Sequence, residues 1–202
     1  MQSADGGGLI LGFDEANDIT GSRGIDWIFG FDGDDRLRGV LGEDVVHGGG
    51  GNDFVQGGDA ARLYGATGDD LLFHTGLLSD PAAIVDGGPG EDSVLLPGSH
   101  DFTQGAEAVR NIEVFSLATP TPEQDPIGLV FIPENSVRLD AVSVVLMTDE
   151  RDVLRIDGDA ADRVELVGIW SRAEPAAGAG FATFTSDAAT LLIDTDIAVS
   201  FV

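Results

Sequence analysis

Six aspartates dominate the possible chemistry of the first half of this chain: Asp26, Asp35, Asp44, Asp53, Asp70 and Asp92. Each is preceded by glycine two and five places earlier and followed two places later by an aliphatic residue, Ile28, Leu37, Val46, Val55, Leu72 or Val94. Carboxylates in phase with glycines put hard anionic oxygens beside backbone that can turn sharply and present its carbonyls. That set suits a hard cation taking six to eight oxygens. Carboxylate pairs also serve acid/base catalysis, but ligation explains their repetition more simply.

The elements that must position these residues are legible as a period of nine: "GSRGIDWIF" (21–29), "GFDGDDRLR" (30–38), "GVLGEDVVH" (39–47) and "GGGGNDFVQ" (48–56). A shortened "GGDAARLY" (57–64), "GATGDDLLF" (65–73), a degenerate stretch at 74–86 and "GGPGEDSVL" (87–95) complete the series, and "GFDEANDIT" (12–20) reads as a worn first unit. Leu63 and Val85 keep the aliphatic place's distance from the next unit despite the length changes. A flexible linker would show no such phase. Each unit therefore predicts a turn of about six residues and a short strand whose eighth side chain points inward. Phe54, at a seventh place, is expected to face out.

Composition bounds the function classes. The 202 residues carry 36 acids against 10 arginines and no lysine, for a formal charge of -26. Phosphate binding needs clustered positive charge, so nucleic acid and anionic membrane are poor partners and cations are natural ligands. An acidified surface for solubility is a partial alternative. The absence of cysteine excludes disulfides, thiol nucleophiles and thiolate metal sites. The N-terminus lacks a basic region and a long apolar run, so no N-terminal signal peptide is expected, and no run reaches the length of a membrane span. Glycine is concentrated, with 22 of 29 in residues 1–96, whereas acids divide 18 and 18. Glycine thus answers a local backbone requirement.

The nonapeptides of residues 21–95 resemble the glycine- and aspartate-rich repeat of RTX proteins, G-G-x-G-x-D-x-U-x, a calcium-binding parallel β-helix repeat. The resemblance implies that two units make one turn of a roll, that unit n stacks on unit n+2, and that calcium lies between stacked turns. The earlier turn would supply carbonyls from its second and fourth places and its aspartate; the later would supply carbonyls from its first and third places and its aspartate. Asp26/Asp44 would then be joined by Ser22, Gly24, Gly39 and Leu41; Asp35/Asp53 by Phe31, Gly33, Gly48 and Gly50; and Asp53/Asp70 by Gly49, Gly51, Gly65 and Thr67. One edge of the roll carries Asp35, Asp53, Asp70 and Asp92. The other carries Asp26 and Asp44, then Arg62 and Ala83, with Arg62 placing positive charge where a ligand is expected. About four calcium ions follow, up to three on the first edge and one on the second. Asp70/Asp92 is the least secure pair, because the stretch 74–86 could break the stack. An EF-hand reading of "DGDDRLRG" fails on acid spacing and the missing terminal Glu.

Beyond Leu96 the period stops. "NIEVFSLA" (111–118) alternates as a strand, "PENSVRLDAVSVVLM" (133–147) predicts one short helix capped at Asn135 or Ser136, and "VLRID", "RVELVGIW", "FATFT", "TLLID" and "IAVSF" read as strands. "DGDAAD" (157–162) reads as a hairpin turn or a further ion site, and an Ala/Gly-rich loop lies near 174–180. The expected fold is all-β: a calcium-binding parallel β-roll over 1–96 and a small β-rich C-terminal capping region over 97–202. Stacked repeats require such a cover for an open end. The second half is similar to the C-terminal region of large RTX proteins exported by type I secretion, including adhesins. That resemblance implies an uncleaved C-terminal signal, which the apolar Ile197 to Val202 fits, and a secreted or cell-surface location.

Enzymatic signatures are missing. His47, His74 and His100 show no zinc-type spacing, no G-x-S-x-G elbow occurs, and "GSH" (98–100) reads as a solvated loop. Three functions remain open: a calcium-triggered folding and export module engaging type I secretion machinery through its C-terminus; a stand-alone adhesive domain using Trp27, Phe29 and Phe31; or a non-catalytic piece of a secreted hydrolase. A monomer is expected.

Overall fold

The computed structural model describes residues 6–58, 60–76, 78, 80–103, 108–117, 135–148, 152–173 and 180–202. The Ala/Gly-rich stretch 174–179 and residues 118–134 lie outside the described residues. Twenty strands and one helix are present among the described residues. The chain forms two units: Met1–Val94 with Ala108–Ile112, and Leu95–Glu107 with Glu113–Val202.

In the first unit, alternate strands form two parallel ladders, because each nine-residue unit contributes one strand and each pair of units one full turn. One ladder runs β1 (Leu9–Leu11), β3 (Trp27–Asp32), β5 (Val45–Gly50), β7 (Arg62–Thr67), β9 (Ile84–Asp86) and β12 (Val109–Arg110). The other contains β2 (Asp18–Thr20), β4 (Arg36–Arg38), β6 (Phe54–Gly57), β8 (Leu71–His74) and β10 (Ser93–Leu95). Register follows the aliphatic place: Ile10 aligns with Ile28, Val46, Leu63, Val85 and Val109 down the first ladder. Ile19, Leu37, Val55 and Leu72 align down the second. Ile28, Leu37, Val46, Val55, Leu63, Leu72, Val85 and Val94 are all fully buried, one row of inward side chains per ladder. At about 1.5–3 kcal/mol each, these aliphatic side chains supply the main apolar stabilisation of the roll.

Two sequence expectations are corrected here. Phe54 is buried rather than facing solvent, with the Arg36 guanidinium 4.8 Å from its ring centroid. Ser99 and His100 of "GSH" lie in a strand, Ser99–Asp101, rather than in a solvated loop, and His100 is half-buried.

The second unit is also built mainly of parallel ladders. β11 (Ser99–Asp101), β14 (Ser136–Leu139), β16 (Arg163–Leu166) and β20 (Ala198–Phe201) form one, aligning Val137, Val164 and Val199. β13 (Val114–Ser116), β15 (Val153–Asp157) and β19 (Thr190–Asp194) form the other, which continues antiparallel through β18 (Phe181–Thr185) and β17 (Ser171–Arg172). Because β15 and β16 belong to different ladders, "DGDAAD" is a corner between them and not a hairpin turn. The helix, α1 (Ala141–Met147), is shorter than its predicted segment, and its N-cap is Asp140, whose carboxylate accepts from the Ser143 N–H. Asn135 and Ser136, the expected caps, precede and begin β14 instead. No helix among the described residues is long and apolar enough to cross a membrane.

Candidate metal centre

The repeat aspartates occupy the turns between ladders, where a two-unit period makes each one face its counterpart a full turn away. Down the first edge Asp35 N–H donates to Asp53 Oδ1 at 2.8 Å, Asp53 N–H to Asp70 Oδ1 at 2.8 Å, and Asp70 N–H to Asp92 Oδ1 at 2.8 Å. The 74–86 stretch therefore leaves the Asp70/Asp92 joint with the same hydrogen bond as its neighbours. On the second edge Asp26 N–H donates to Asp44 Oδ1 at 2.9 Å. All six carboxylates are buried, at 0–3 % exposure.

One oxygen of each carboxylate is thus a backbone acceptor, and the other faces a different environment. Oδ2 of Asp35, Asp44, Asp53 and Asp70 is buried without a hydrogen-bond partner. A buried anionic oxygen left so is costly unless something pairs with it. Glycine at the first place creates the space beside it. A Cβ on Gly30 would lie 2.0 Å from Asp35 Oδ2 and 2.6 Å from the Gly48 carbonyl oxygen of the next turn. A Cβ on Gly48 would meet Asp53 Oδ2 at 2.2 Å and the Gly65 carbonyl at 2.6 Å, and one on Gly65 would meet Asp70 Oδ2 at 2.2 Å and the Gly87 carbonyl at 2.6 Å. The unpaired carboxylate oxygen and the first-place carbonyl of the following turn therefore converge at three successive joints.

The other predicted backbone residues also face the neighbouring turn. The Phe31 carbonyl lies 1.8 Å from where a Cβ on Gly49 would stand, and the Gly33 carbonyl 2.5 Å from one on Gly51, so second- and fourth-place carbonyls point along the stack. Gly49 and Gly51 have φ of 130° and 124°, which only glycine adopts freely. The third-place carbonyls of Gly50 and Thr67 accept from Gly33 N–H at 2.6 Å and Gly51 N–H at 2.9 Å. Gly39's carbonyl faces Gly21 and Asp26 Oδ2 on the second edge, with Gly24 and Leu41 in the same pair of turns. Ser22 plays a part beyond its backbone: its N–H and hydroxyl both donate to Asp26 Oδ2, at 2.5 and 2.8 Å. With Gly8 N–H donating to its Oδ1 at 2.7 Å, Asp26 has both carboxylate oxygens held by protein donors, whereas Asp44 Oδ2 has none.

Arg62 does not stand in the ligand column. The shortened unit moves register by one, pairing Arg62 with Val45 and placing buried Ala61 beneath Asp44, followed by Ala83. The second edge lacks further carboxylates, and its column continues as apolar core rather than as positive charge.

The electrostatics agree with a site built for positive charge. Burial pushes the Asp53 carboxyl up to about 7; its hydrogen bond from Asp35 opposes this, while Asp70, Asp35 and Asp34 add repulsion. Burial also raises Asp44 to about 6, with Asp26 adding to the effect, and Asp70 to about 6, with Asp69 adding to it. Among the described residues no three His, Cys, Asp or Glu side chains converge, so the oxygens available at each joint are two carboxylates and backbone carbonyls. That donor set, all oxygen and without nitrogen or sulfur, fits calcium rather than zinc.

The family model of the RTX calcium-binding nonapeptide repeat, in four copies, matches residues 11–46, 29–61 and 38–72. Residues 11–72 carry RTX calcium-binding nonapeptide repeats. Comparison with curated proteins and with solved structures returned no match. RTX repeats bind calcium, are structural rather than catalytic elements, and are typical of extracellular secreted proteins.

Two features of the RTX turns escaped the sequence reading. A second column runs outside the first on the same edge: Asn52 N–H donates to Asp34 Oδ1, Asp69 N–H to Asn52 Oδ1, and Glu91 N–H to Asp69 Oδ1, at 2.8–2.9 Å. The polar fifth place of each unit was the available signal. The other is Asn17, at the sixth place of the worn unit, whose side chain reaches Asp35.

Proposed function

We propose that this chain is a calcium-dependent folding and export module of a type I secreted extracellular or surface protein. The observation that carries the reading is the triple recurrence, at Asp35, Asp53 and Asp70, of a buried, unpartnered carboxylate oxygen facing the next turn's carbonyl. Calcium would be held between Asp35/Asp53, Asp53/Asp70 and Asp70/Asp92 on the first edge and between Asp26/Asp44 on the second. When bound it supplies the positive charge that offsets stacked carboxylates. The chain's own contribution is to turn glycine backbone, aim carbonyls and stack carboxylates, all of which require the roll to be formed. Metal binding and folding are then one equilibrium. Low calcium inside a cell leaves the repeats unfolded and exportable, high calcium outside folds them, and the C-terminal strand ending at Phe201 carries the export signal.

Circular dichroism of the full chain, titrated from chelator into millimolar calcium, tests this. A cooperative gain of β signal is expected. Full β signal in chelator, unchanged by calcium, would overturn the reading.

A second reading, adhesion, is favoured by one observation. The outer face of β1, β3 and β5 exposes Leu9, Leu11 and Trp27, beside a stack in which His47 lies between Phe29 and Tyr64 at 5.5 and 4.4 Å. Phe31 is also exposed.

A further inference from the structure

The first edge does not end at Asp35. One turn earlier the sixth place is Asn17, and its backbone N–H donates to Asp35 Oδ1 at 2.7 Å, the same bond that joins every later pair of the column. Its side chain does something no aspartate can. Nδ2 donates to the Phe13 carbonyl at 2.9 Å, to the Glu15 carbonyl and to Asp35 Oδ1 at 3.0 Å. Phe13 and Glu15 are the second and fourth places of that unit. One amide nitrogen therefore gathers the second- and fourth-place carbonyls of its own turn and the carboxylate of the next. These are the oxygen types that, at the joints below, are available to a cation.

An independent joint in the second unit repeats the arrangement away from the repeats. Asn135 N–H and Nδ2 both donate to Asp162 Oδ1, at 3.1 and 3.0 Å, and Nδ2 also donates to the Leu117 carbonyl at 2.5 Å. Asn135 Oδ1 accepts from Gly98 N–H at 2.7 Å, and Asp162 Oδ2 accepts from Asp159 N–H at 2.8 Å. Asp162 precedes inward Val164 by two places, as the repeat aspartates precede their aliphatic residues. Every oxygen of both side chains has a protein partner. "DGDAAD" is thus a self-satisfied corner, in which an Asn/Asp joint meets its side-chain oxygens with protein hydrogen bonds.

We propose that Asn17 is a built-in end stop of the calcium column, its amide nitrogen replacing the ion at the joint with Asp35. The inference rests on the calcium reading above. An amide is neutral and donates, so its two N–H groups, one of them shared, serve the two carbonyls and Asp35 Oδ1 without recruiting a cation. Asn17→Asp removes the donor and adds the second carboxylate, converting the joint into another copy of Asp35/Asp53.

Native mass spectrometry of the full chain in calcium gives the test. N17D is expected to bind one ion more than wild type, and N17A the wild-type number with a lower melting temperature in calcium. A wild type that binds no calcium overturns the calcium reading itself. A wild type that binds calcium beside a folded N17D of unchanged stoichiometry overturns the end stop alone. Should N17D not fold, wild-type NMR decides: slow exchange of the Asn17 side-chain amide protons in the calcium-loaded protein is expected, and rapid exchange overturns the proposal.

Discussion

The two edges of the roll are made from one repeat, yet they differ in what stands beneath each carboxylate. On the first edge Asp35, Asp53 and Asp70 each stack on another aspartate, and an outer column from Asp34 to Glu91 ties the same turns together. On the second, Asp26 stacks on Asp44, but Asp44 stacks on Ala61, and Ser22 already donates to Asp26. The difference arises from one shortened unit and one degenerate stretch. Both preserve the inward row, since Leu63 and Val85 remain fully buried, while both lose the carboxylate. The core tolerates changes of turn length that a ligand column does not, because burial is non-directional and coordination needs placed oxygens.

The largest expected contrast between the edges lies in their central residues. Asp53 belongs to two joints and Asp44 to one ligand pair. Asp53→Asn should lose two ions and raise the calcium midpoint of folding more than Asp44→Asn, which should lose one; equal losses by native mass spectrometry would remove the distinction.

Protons should partly replace the ion where calcium is withheld. Asp53, Asp44 and Asp70 have folded-state values raised to about 7, 6 and 6, so the folded chain binds protons that the unfolded chain releases. Their contribution is fully present below the unfolded value of 3.8 and is lost as pH rises through 6–7. In chelator, the circular dichroism β signal should therefore rise as pH falls from 8 to 5. Asp53 and Asp70 make this chiefly a first-edge effect, which Asp53→Asn should reduce more than Asp44→Asn.

The smallest contrast concerns backbone. Second-place residues Phe31 and Val40 have φ of 83° and 80°, a region unfavourable for side chains and most of all for a β-branched one. Val40→Gly and Phe31→Gly should each stabilise the calcium-loaded roll by about 1 kcal/mol, with Val40→Gly the larger gain. Gly49→Ala, at φ 130° and against the Phe31 carbonyl, should destabilise it by about 1–3 kcal/mol. Thermal melts in calcium check the signs.

Much of the roll was legible in the chain because a nine-residue phase repeats one conformation, so each unit reports on the others. The inward row follows from spacing, whereas the stacking of Asp35 on Asp53 was implied by the RTX resemblance and is seen in the hydrogen bond between them. Arg62 was misplaced because counting from a unit's first glycine ignores a deletion inside the turn, whereas the folded chain aligns on the buried Leu63. The second half was harder to read. Its strands were recognisable from alternation at Val153–Asp157 and Thr190–Asp194, but no period announced their parallel pairing, and the segment through Asn135 divided into strand, cap and helix.

The sequence by itself determined the nine-residue repeat and the places of its glycines, aspartates and aliphatic residues, because type and spacing are local properties. Tertiary structure decided which carboxylate oxygens already have partners. Ser22 at Asp26, Asn17 at Asp35 and Asn135 at Asp162 each supply donors through contacts that spacing cannot rank. The reason is physical: whether a joint offers an oxygen to an ion or to an amide depends on which donor stands a few ångströms away, and that is settled only when the turns stack.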